Sequence, residues 1–367
     1  MIWESRAREK SAKVVLGRVL IKSASRVRLQ ANRTLSQHRR MAEFDPEPTS
    51  FECARLGHTL TDLRQISGLA GSGPKQSDRP YDVLIAVHAM APNLMRRGGR
   101  GEVMTVRWSM RPSTYDRMMR GSHQRRYYED SGYFNFGYWG AGAKSQLEAS
   151  EALVDQMVAR IANKTGRILD VACGLGGSTK RLMQTYAPEM ITGINISDAQ
   201  IADARALAPG CTFQVMNAAK LDFPHDHFDA VICIEGACHF DTRDKFLKEA
   251  HRVLKPGGSL AMSDMLFPIN ILSEFGQVPR ANLLPSIAEY RARLAAAGFV
   301  SIEVTDATDV CLGGFRANLV HWASAERRAG RMTLSRSLAA AVIGKLLAAF
   351  FGRSCKTYLL VSARKPS

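Results

Sequence analysis

A chain of 367 residues, of which 46% are hydrophobic and 23% charged, can bury at least one large core, and this composition excludes a fibrous or wholly disordered protein. The seven cysteines are scattered and never form a Cys-x-x-Cys pair, which argues against a disulfide framework or a structural zinc site. The sequence also lacks a secretory signal pattern and an uninterrupted apolar run of roughly 18 to 20 residues, so we expect a cytoplasmic protein.

The net charge of +16 would by itself suggest nucleic acid or an anionic membrane as a partner. About half of this surplus lies before Met104, outside the part of the chain that carries the motifs. The charge therefore says little about the activity of the remaining chain.

Residues 1–103 are rich in Arg and Ser and show no sustained helical or strand period beyond the apolar patch at Val83–Val87. We expect a poorly ordered, basic N-terminal extension here. Three interpretations stay open. The start codon could be assigned too far upstream, with Met104, Met110 or Met118 as the true start; the segment could be a targeting peptide; or it could be a regulatory or nucleic-acid-binding arm.

After this extension, strand-like apolar runs alternate with helical patterns. Residues 104–163 are predicted to form a helical and aromatic lid that includes a helix at Lys144–Asn163. Residues 164–367 are predicted to form the main domain, with cap insertions at about 267–285 and 307–352.

The predicted strands of the main domain are Arg167–Ala172, Met190–Ile196, Cys211–Met216, Phe228–Ile234, Ser259–Met265, Phe299–Thr305 and Thr357–Ala363. The predicted helices between them are one through Arg181 and Leu182, Asp198–Leu207, Arg243–Leu254 and Ile287–Ala297. This alternation predicts an α/β fold with seven strands in a mostly parallel sheet and helices on both faces.

The strongest local motif is Ile168–Ser178, an apolar strand that ends in an acid and a glycine turn and opens a helix. Glycines let the backbone approach a ligand closely, and ligands of open α/β sheets bind at the carboxyl ends of the strands. A phosphate loop is excluded because no Gly-Lys-Ser or Gly-Lys-Thr follows, and the spacing is not the Gly-x-Gly-x-x-Gly of dinucleotide sites. A tight turn without a ligand is the alternative.

This motif resembles the first motif of the class I S-adenosylmethionine-dependent methyltransferases, and four further segments follow in the family's order. They are Thr192–Ser197, Met216–Phe223, Phe228–Glu235 and Val253–Ser259. The resemblance covers roughly residues 120–367. It implies a Rossmann-like fold with a helical substrate cap and S-adenosyl-L-methionine as the cofactor.

The resemblance also implies residues that bind the cofactor. Asp170 would lie near its amino-acid end, and the backbone of the turn would lie along it. The turn residues concerned are Ala172, Cys173, Gly174 and Gly176.

The family usually has an acid after the second strand that accepts both ribose hydroxyls, but this sequence has Asn195, followed by Ile196. An amide can accept through its oxygen without charge assistance, and Gln200 could share the task. Asn217 and Ala218 are placed to meet the adenine; a polar turn with a packed alanine is the alternative.

The candidate general base is His239, just beyond the fourth strand, because an imidazole titrates near neutral pH. Family members carry a histidine near this place that contacts substrate or assists proton removal. A histidine that caps the next helix or bonds within its loop is the alternative. Glu235 could orient the cofactor or the substrate, or be a solvated loop acid.

The segment Tyr127–Trp139 is dense in aromatic residues, and its Gly-Tyr-Trp end resembles a family lid that covers the cofactor. Aromatic rings exclude water and can face a sulfonium cation, so Tyr138 is a candidate contact; core packing is the alternative. The run His225–His227 invites a metal site, but no further ligands follow nearby, so we interpret it as a surface turn and predict no metal.

The sequence therefore predicts methyl transfer to O, N or C of a small molecule or lipid, without naming the acceptor or the oligomeric state. A nucleic-acid methyltransferase is disfavoured because Glu235–Cys238 replaces the Asn/Asp-Pro-Pro-aromatic tetrapeptide of many base-amine enzymes. A cofactor-binding scaffold without turnover is a further alternative. Residues 338–353 could make weak contact with a membrane surface.

Overall fold

The structure is a computed structural model that describes residues 112–267 and 278–367. The expected N-terminal extension, the first residues of the lid and most of the first cap insertion lie outside the described residues. The described strands β1–β7 are, in chain order, Ile168–Val171, Ile191–Asn195, Thr212–Val215, Phe228–Ile234, Leu254–Leu266, Val300–Asp306 and Thr357–Arg364. The described α-helices α1–α9 are Pro112–Met119, Ser122–Tyr127, Gln146–Ala159, Gly177–Leu182, Asp198–Leu207, Arg243–Val253, Ile287–Ala296, Gly314–Arg328 and Leu334–Ser354.

The seven strands form one sheet in the order β3-β2-β1-β4-β5-β7-β6. β1 to β5 are parallel, whereas β7 is antiparallel to both β5 and β6. The strand order reverses between β1 and β4, which are neighbours in the sheet although two strands separate them in sequence. Ligands of open α/β sheets bind in the crevice at such a point, and the predicted fold class is confirmed.

Both faces of the sheet are covered, so its central strands are apolar on both sides. In β1, Ile168 packs into one core, with Leu153 and Met157 of α3. The next residue, Leu169, packs into the opposite core, with Phe246 of α6. This alternation fixes the register in which the carboxyl ends of β1 and β4 meet.

Most boundaries differ from the sequence expectation by a few residues, and two of the differences have a visible cause. Helix α3 begins at Gln146 rather than Lys144, because the Oγ of Ser145 accepts a hydrogen bond from the backbone N–H of Glu148 and caps the helix. Strand β5 begins at Leu254 rather than Ser259, because Phe228 of β4 already pairs with Leu254 before the glycine turn.

The segment between β6 and β7 folds into α8 and α9, which pack against the aromatic segment, residues 127–139. Phe136 stacks on Phe315 of α8 with ring centroids 4.3 Å apart, and it meets Phe351 of α9 at 5.1 Å. Gly344 lies against the carbonyl of Leu319, so the two helices approach closely where a side chain would clash. The cap therefore holds the aromatic segment over the sheet.

Candidate active site

The turn after β1 is a concave stretch of backbone. Ala172, Gly174 and Gly176 have positive φ angles of 61°, 58° and 93°, and the N–H of Cys173 donates to the carbonyl of Ile194. A side chain at Gly174 would point at Met119 of α1, whereas one at Gly176 would meet the backbone of Ala204 in α5. The absence of a side chain at Gly174 thus lets Met119 approach the turn closely, and its absence at Gly176 lets α5 pack beneath the turn.

Asp170 places a buried carboxyl group below this turn. Its Oδ2 accepts hydrogen bonds from Ser178 and Thr179, at 2.8 and 2.7 Å, while its buried Oδ1 has no partner among the described residues. Burial raises the pKa of Asp170 to about 6, although both hydrogen bonds act in the opposite direction. A buried acceptor without a donor is costly, so this oxygen is suited to a ligand's cationic or N–H group.

The aromatic segment and α1 cover the turn and enclose a small cavity with it. The cavity is lined by Met119, residues 132–135, Ala172, Cys173, Gly174, Ser178 and Ile234. Its volume is about 60 Å³, whereas pockets for drug-sized ligands are roughly 300–1,000 Å³. The covering segments must therefore move outward when a ligand of that size enters.

Asn135 is a cavity residue that the sequence analysis missed. Its carbonyl accepts from Tyr128 and Gln146, each at 3.0 Å, whereas its buried Oδ1 has no partner among the described residues. An amide in a run of aromatic residues was the available signal. Tyr138, which the sequence analysis chose instead, is not among the lining residues and lies beside Gly140.

The loop after β2 holds a chain of side-chain hydrogen bonds. Asn195 donates through Nδ2 to Gln200 at 3.0 Å, and its Oδ1 accepts from the N–H of Ser197. Gln200 and Ser197 in turn both donate to Asp116 of α1. Ile196 is 58% exposed, so the loop presents an apolar side chain next to these polar groups.

The loop after β3 has fewer polar groups available to a ligand. Asn217 is exposed, and its Oδ1 accepts from the N–H of Ala219 at 2.8 Å, as in a local polar turn. Ala218 is buried and packs against the core.

Glu235, at the end of β4, joins three elements. Its Oε1 accepts from the N–H of Phe136 and from the hydroxyl of Tyr358, both at 2.7 Å. Burial raises the pKa of Glu235 to about 7, against the effect of these two hydrogen bonds. The carboxyl group therefore ties the aromatic segment to β4 and β7, and it is not the solvated loop acid considered above.

His239 ends a short 3₁₀ turn after β4, and its Nε2 lies 3.1 Å from the hydroxyl of Tyr115 in α1. Burial raises the pKa of Tyr115 above its usual value, so the phenol keeps its proton at neutral pH. The sequence pattern indicated His239 but not Tyr115, which is 124 residues away in the chain.

A buried polar network fixes the loop that carries His239. Asn282 donates to the carbonyls of Cys238 and Phe240, at 3.0 and 2.8 Å, and accepts from the N–H of Arg243. Arg243 forms an ion pair of 2.7 Å with Asp264, and both side chains are almost wholly buried. These contacts hold the backbone on both sides of His239.

The run His225–His227 lies away from these groups. Asp226 pairs with Lys365, and His227 lies 3.1 Å from Arg167. Within residues 112–267 and 278–367, no group of three His, Cys, Asp or Glu side chains is arranged to hold a metal ion.

Comparison with known proteins identifies the domain that carries these residues. A family model described as a methyltransferase domain matches residues 169–262. An O-methyltransferase, resE of Aspergillus sclerotiorum, is 32% identical over 49% of this chain and 73% of its own length. The O-methyltransferase rstn1 of Aspergillus nomiae is 31% identical over 51% of this chain and 88% of its own length.

A solved structure shares the fold. It is phosphoethanolamine N-methyltransferase 2 of Haemonchus contortus in complex with S-adenosyl-L-methionine, with a TM-score of 0.53 and 19% identity. The match covers 70% of this chain and 60% of that one.

The raised pKa of Glu235 predicts how stability depends on pH. An acid whose pKa is higher in the folded state stabilises the fold below its ordinary pKa of about 4.5, and this contribution is lost as the pH rises through about 7. Between pH 4.5 and 7.5 this carboxyl group should lower the free energy of unfolding of the wild type by up to about 3 kcal/mol. Glu235→Gln lacks the group and should not show this loss. Urea unfolding at both pH values measures this.

Glu303→Gln, an exposed acid of β6, is the matched control and should follow the wild type. An identical pH dependence of Glu235→Gln and the wild type would contradict the burial of this carboxyl group.

Proposed function

We propose that this chain, which belongs to the class I S-adenosylmethionine-dependent methyltransferases and methylates a small molecule, transfers the methyl group to a hydroxyl oxygen of a lipophilic acceptor. The pairing of Tyr115 with His239 at the carboxyl end of β4 carries this proposal, because it supplies a group that can take the acceptor's proton. The O-methyltransferases among the relatives support the same choice of atom.

The cavity residue Asn135 and the carboxyl group of Asp170 below the turn fit the amino-acid end of S-adenosyl-L-methionine. Asp170 and Asn135 each offer a buried oxygen that still needs a donor, and the cofactor's ammonium group has three N–H donors. The turn Ala172–Gly174 would lie along the cofactor through its backbone.

The loops after β2 and β3 would hold the rest of the cofactor. Asn195 and Gln200 would face the ribose, and Ile196, Asn217 and Ala218 would contact the adenine. Gly176, Glu235 and Tyr138 would act indirectly, through helix packing and the position of the aromatic segment.

When bound, the cofactor supplies an electrophilic methyl group on its sulfonium. The chain's contribution is to hold the acceptor in line, to exclude water beneath the aromatic segment, and to receive the proton that the acceptor oxygen loses. Tyr115 stays protonated, and its oxygen can accept a hydrogen bond from the N–H at Nε2 and so orient the imidazole. In this tautomer the proton that the acceptor oxygen loses would add to Nδ1 of His239. An amine acceptor would need this help less.

We also propose that α9 lies on an anionic membrane surface, from which a lipophilic acceptor could be drawn. This helix has 21 residues and is long and apolar enough to cross a membrane, although no uninterrupted apolar run marks it in the sequence. Four of its apolar side chains, spaced four residues apart, are half or more exposed: Leu334, Leu338, Val342 and Leu346.

The other face of α9 and its charges favour lying on the surface over spanning it. Gly344 and Ala348 are buried against α8, so one side of the helix is already packed on protein. From residue 327 to the end of the sequence every Asp, Glu, Lys or Arg is basic, including Lys345 and Arg353 of α9. Apolar side chains combined with Lys and Arg suit an anionic lipid surface.

Cofactor binding tests the site. Gly174→Val should abolish binding of S-adenosyl-L-methionine in isothermal titration calorimetry, because its side chain would project into the space between the turn and Met119. Gly142→Val is the control, since Gly142 has a similar positive φ of 79° with no atom near its Cβ position. Equal affinities of both variants would count against this cofactor site.

Removing the imidazole tests the choice of oxygen. His239→Ala should lower kcat about a hundredfold or more, because a positioned base contributes about 10²- to 10⁴-fold. Tyr115→Phe should lower it about tenfold through the loss of one hydrogen bond. The measurement is single-turnover formation of a product heavier by one methylene unit.

His225→Ala, in an exposed turn, is the control and should keep the wild-type rate. A rate of His239→Ala within about threefold of the wild type would reject the base and favour an amine acceptor.

Vesicle sedimentation tests the α9 surface. Wild-type protein should bind vesicles that contain phosphatidylserine and bind phosphatidylcholine vesicles weakly. Leu338→Glu with Val342→Glu should lower the bound fraction about tenfold or more, because acids replace apolar contacts on the lipid face.

Ser324→Glu with Ala325→Glu, two exposed positions of α8, adds the same charge elsewhere and is the control. Equal binding of both double variants to the vesicles would reject the proposed membrane contact of α9. The contact would also be rejected if the wild type bound no vesicles and gel filtration showed that it self-associates through this face.

A further inference from the structure

The ribose end of the proposed cofactor site lacks an acid on β2. Asn195 ends that strand, and both parts of its amide are engaged: Nδ2 donates to Gln200 and Oδ1 accepts from the N–H of Ser197. An amide also lacks the charge that strengthens hydrogen bonds from hydroxyls. The loop after β2 therefore needs a carboxylate from elsewhere if the ribose is to be held firmly.

A carboxylate reaches this loop from α1. The Oδ1 of Asp116 accepts from the Oγ of Ser197 at 2.7 Å and from Nε2 of Gln200 at 2.8 Å. Gln200 thus bridges Asn195 and Asp116 by using its oxygen toward one and its nitrogen toward the other. Two side chains of the loop, one of α5 and one of α1 thus form a single hydrogen-bonded chain.

The second oxygen of Asp116 is available. Within the part of the chain that the structure describes, no hydrogen bond to its Oδ2 is found, and the residue is only half-buried. An ionised carboxylate has about four acceptor positions, of which Oδ1 uses two. Two acceptor positions thus remain for two hydroxyl donors.

The position of Asp116 is held by more than its own contacts. Arg120, one helical turn further, forms a salt bridge of 2.9 Å with Asp203 of α5. Tyr115 is held on the other side by its hydrogen bond with His239. The helix is thus anchored at both sides of the carboxylate.

We propose that Asp116 supplies the carboxylate that binds the ribose hydroxyls of the cofactor, in place of the acid that β2 lacks at Asn195. The proposal rests on the proposed cofactor site. It makes α1 a part of that site: the lid contributes an acceptor to the ribose as well as a cover.

The test is calorimetric binding of S-adenosylhomocysteine and of its 2′,3′-dideoxy analogue to the full chain. Asp116→Asn should bind S-adenosylhomocysteine about 10- to 100-fold more weakly than the wild type, because charge-assisted bonds to the hydroxyls are lost. The dideoxy analogue should bind the wild type and Asp116→Asn with similar affinities, since it has no ribose hydroxyls to lose.

Two further variants complete the design. Glu303→Gln removes one negative charge from an exposed position of β6, at the opposite edge of the sheet, and should bind S-adenosylhomocysteine as the wild type does. Adding Asn195→Asp to Asp116→Asn should restore much of the affinity, because it returns an acid to the end of β2.

The outcomes separate the two proposals. If the wild type does not bind S-adenosylhomocysteine, the proposed cofactor site fails. If the wild type binds and Asp116→Asn binds equally well, the ribose role is overturned. Tighter binding by Asp116→Asn would also overturn it, since Asp116 would then compete with the ligand for Ser197 and Gln200.

Discussion

The reversal of strand order between β1 and β4 is the constraint on which the site depends. Helices leave the two strands on opposite faces of the sheet, so a crevice opens where their carboxyl ends meet. The glycine turn after β1 forms one wall, and the loop with Glu235 and His239 forms the other. The acceptor and the methyl donor of the proposed reaction are thereby brought to adjacent strands.

Buried polar contacts give this crevice its shape. Glu235 joins the aromatic segment to β7, and Asn282 holds the loop of His239 through two carbonyls. Beneath them, Arg243 and Asp264 are buried as an ion pair that Tyr290 also hydrogen-bonds. Such pairs add little stability, but the directions of their bonds leave the loop few alternative positions.

Helices outside the central sheet supply what the strand ends lack. Helix α1 brings Tyr115 to His239 and Asp116 to the loop after β2, so its inner face reaches both sides of the crevice. Helices α8 and α9 pack on the aromatic segment through Phe315 and Phe351, and Gly344 on the inner side of α9 lets the two helices approach each other closely. The outer side of α9 then keeps its apolar residues exposed, which links the cap to a lipid surface in our proposal.

The sequence by itself determined the strands, most helices and the order of the motifs, because strand and helix periods and glycine turns are local properties. Local patterns also pointed to Asp170 and His239, which sit at the ends of predicted strands. Tertiary structure alone decided that Asn135 lines the cavity, that Tyr115 meets His239 and that Asp116 meets the loop after β2. It also decided that Glu235 hydrogen-bonds the aromatic segment and β7, and that Gly176 faces α5. Those roles depend on contacts between segments far apart in the chain, and no local pattern encodes such contacts.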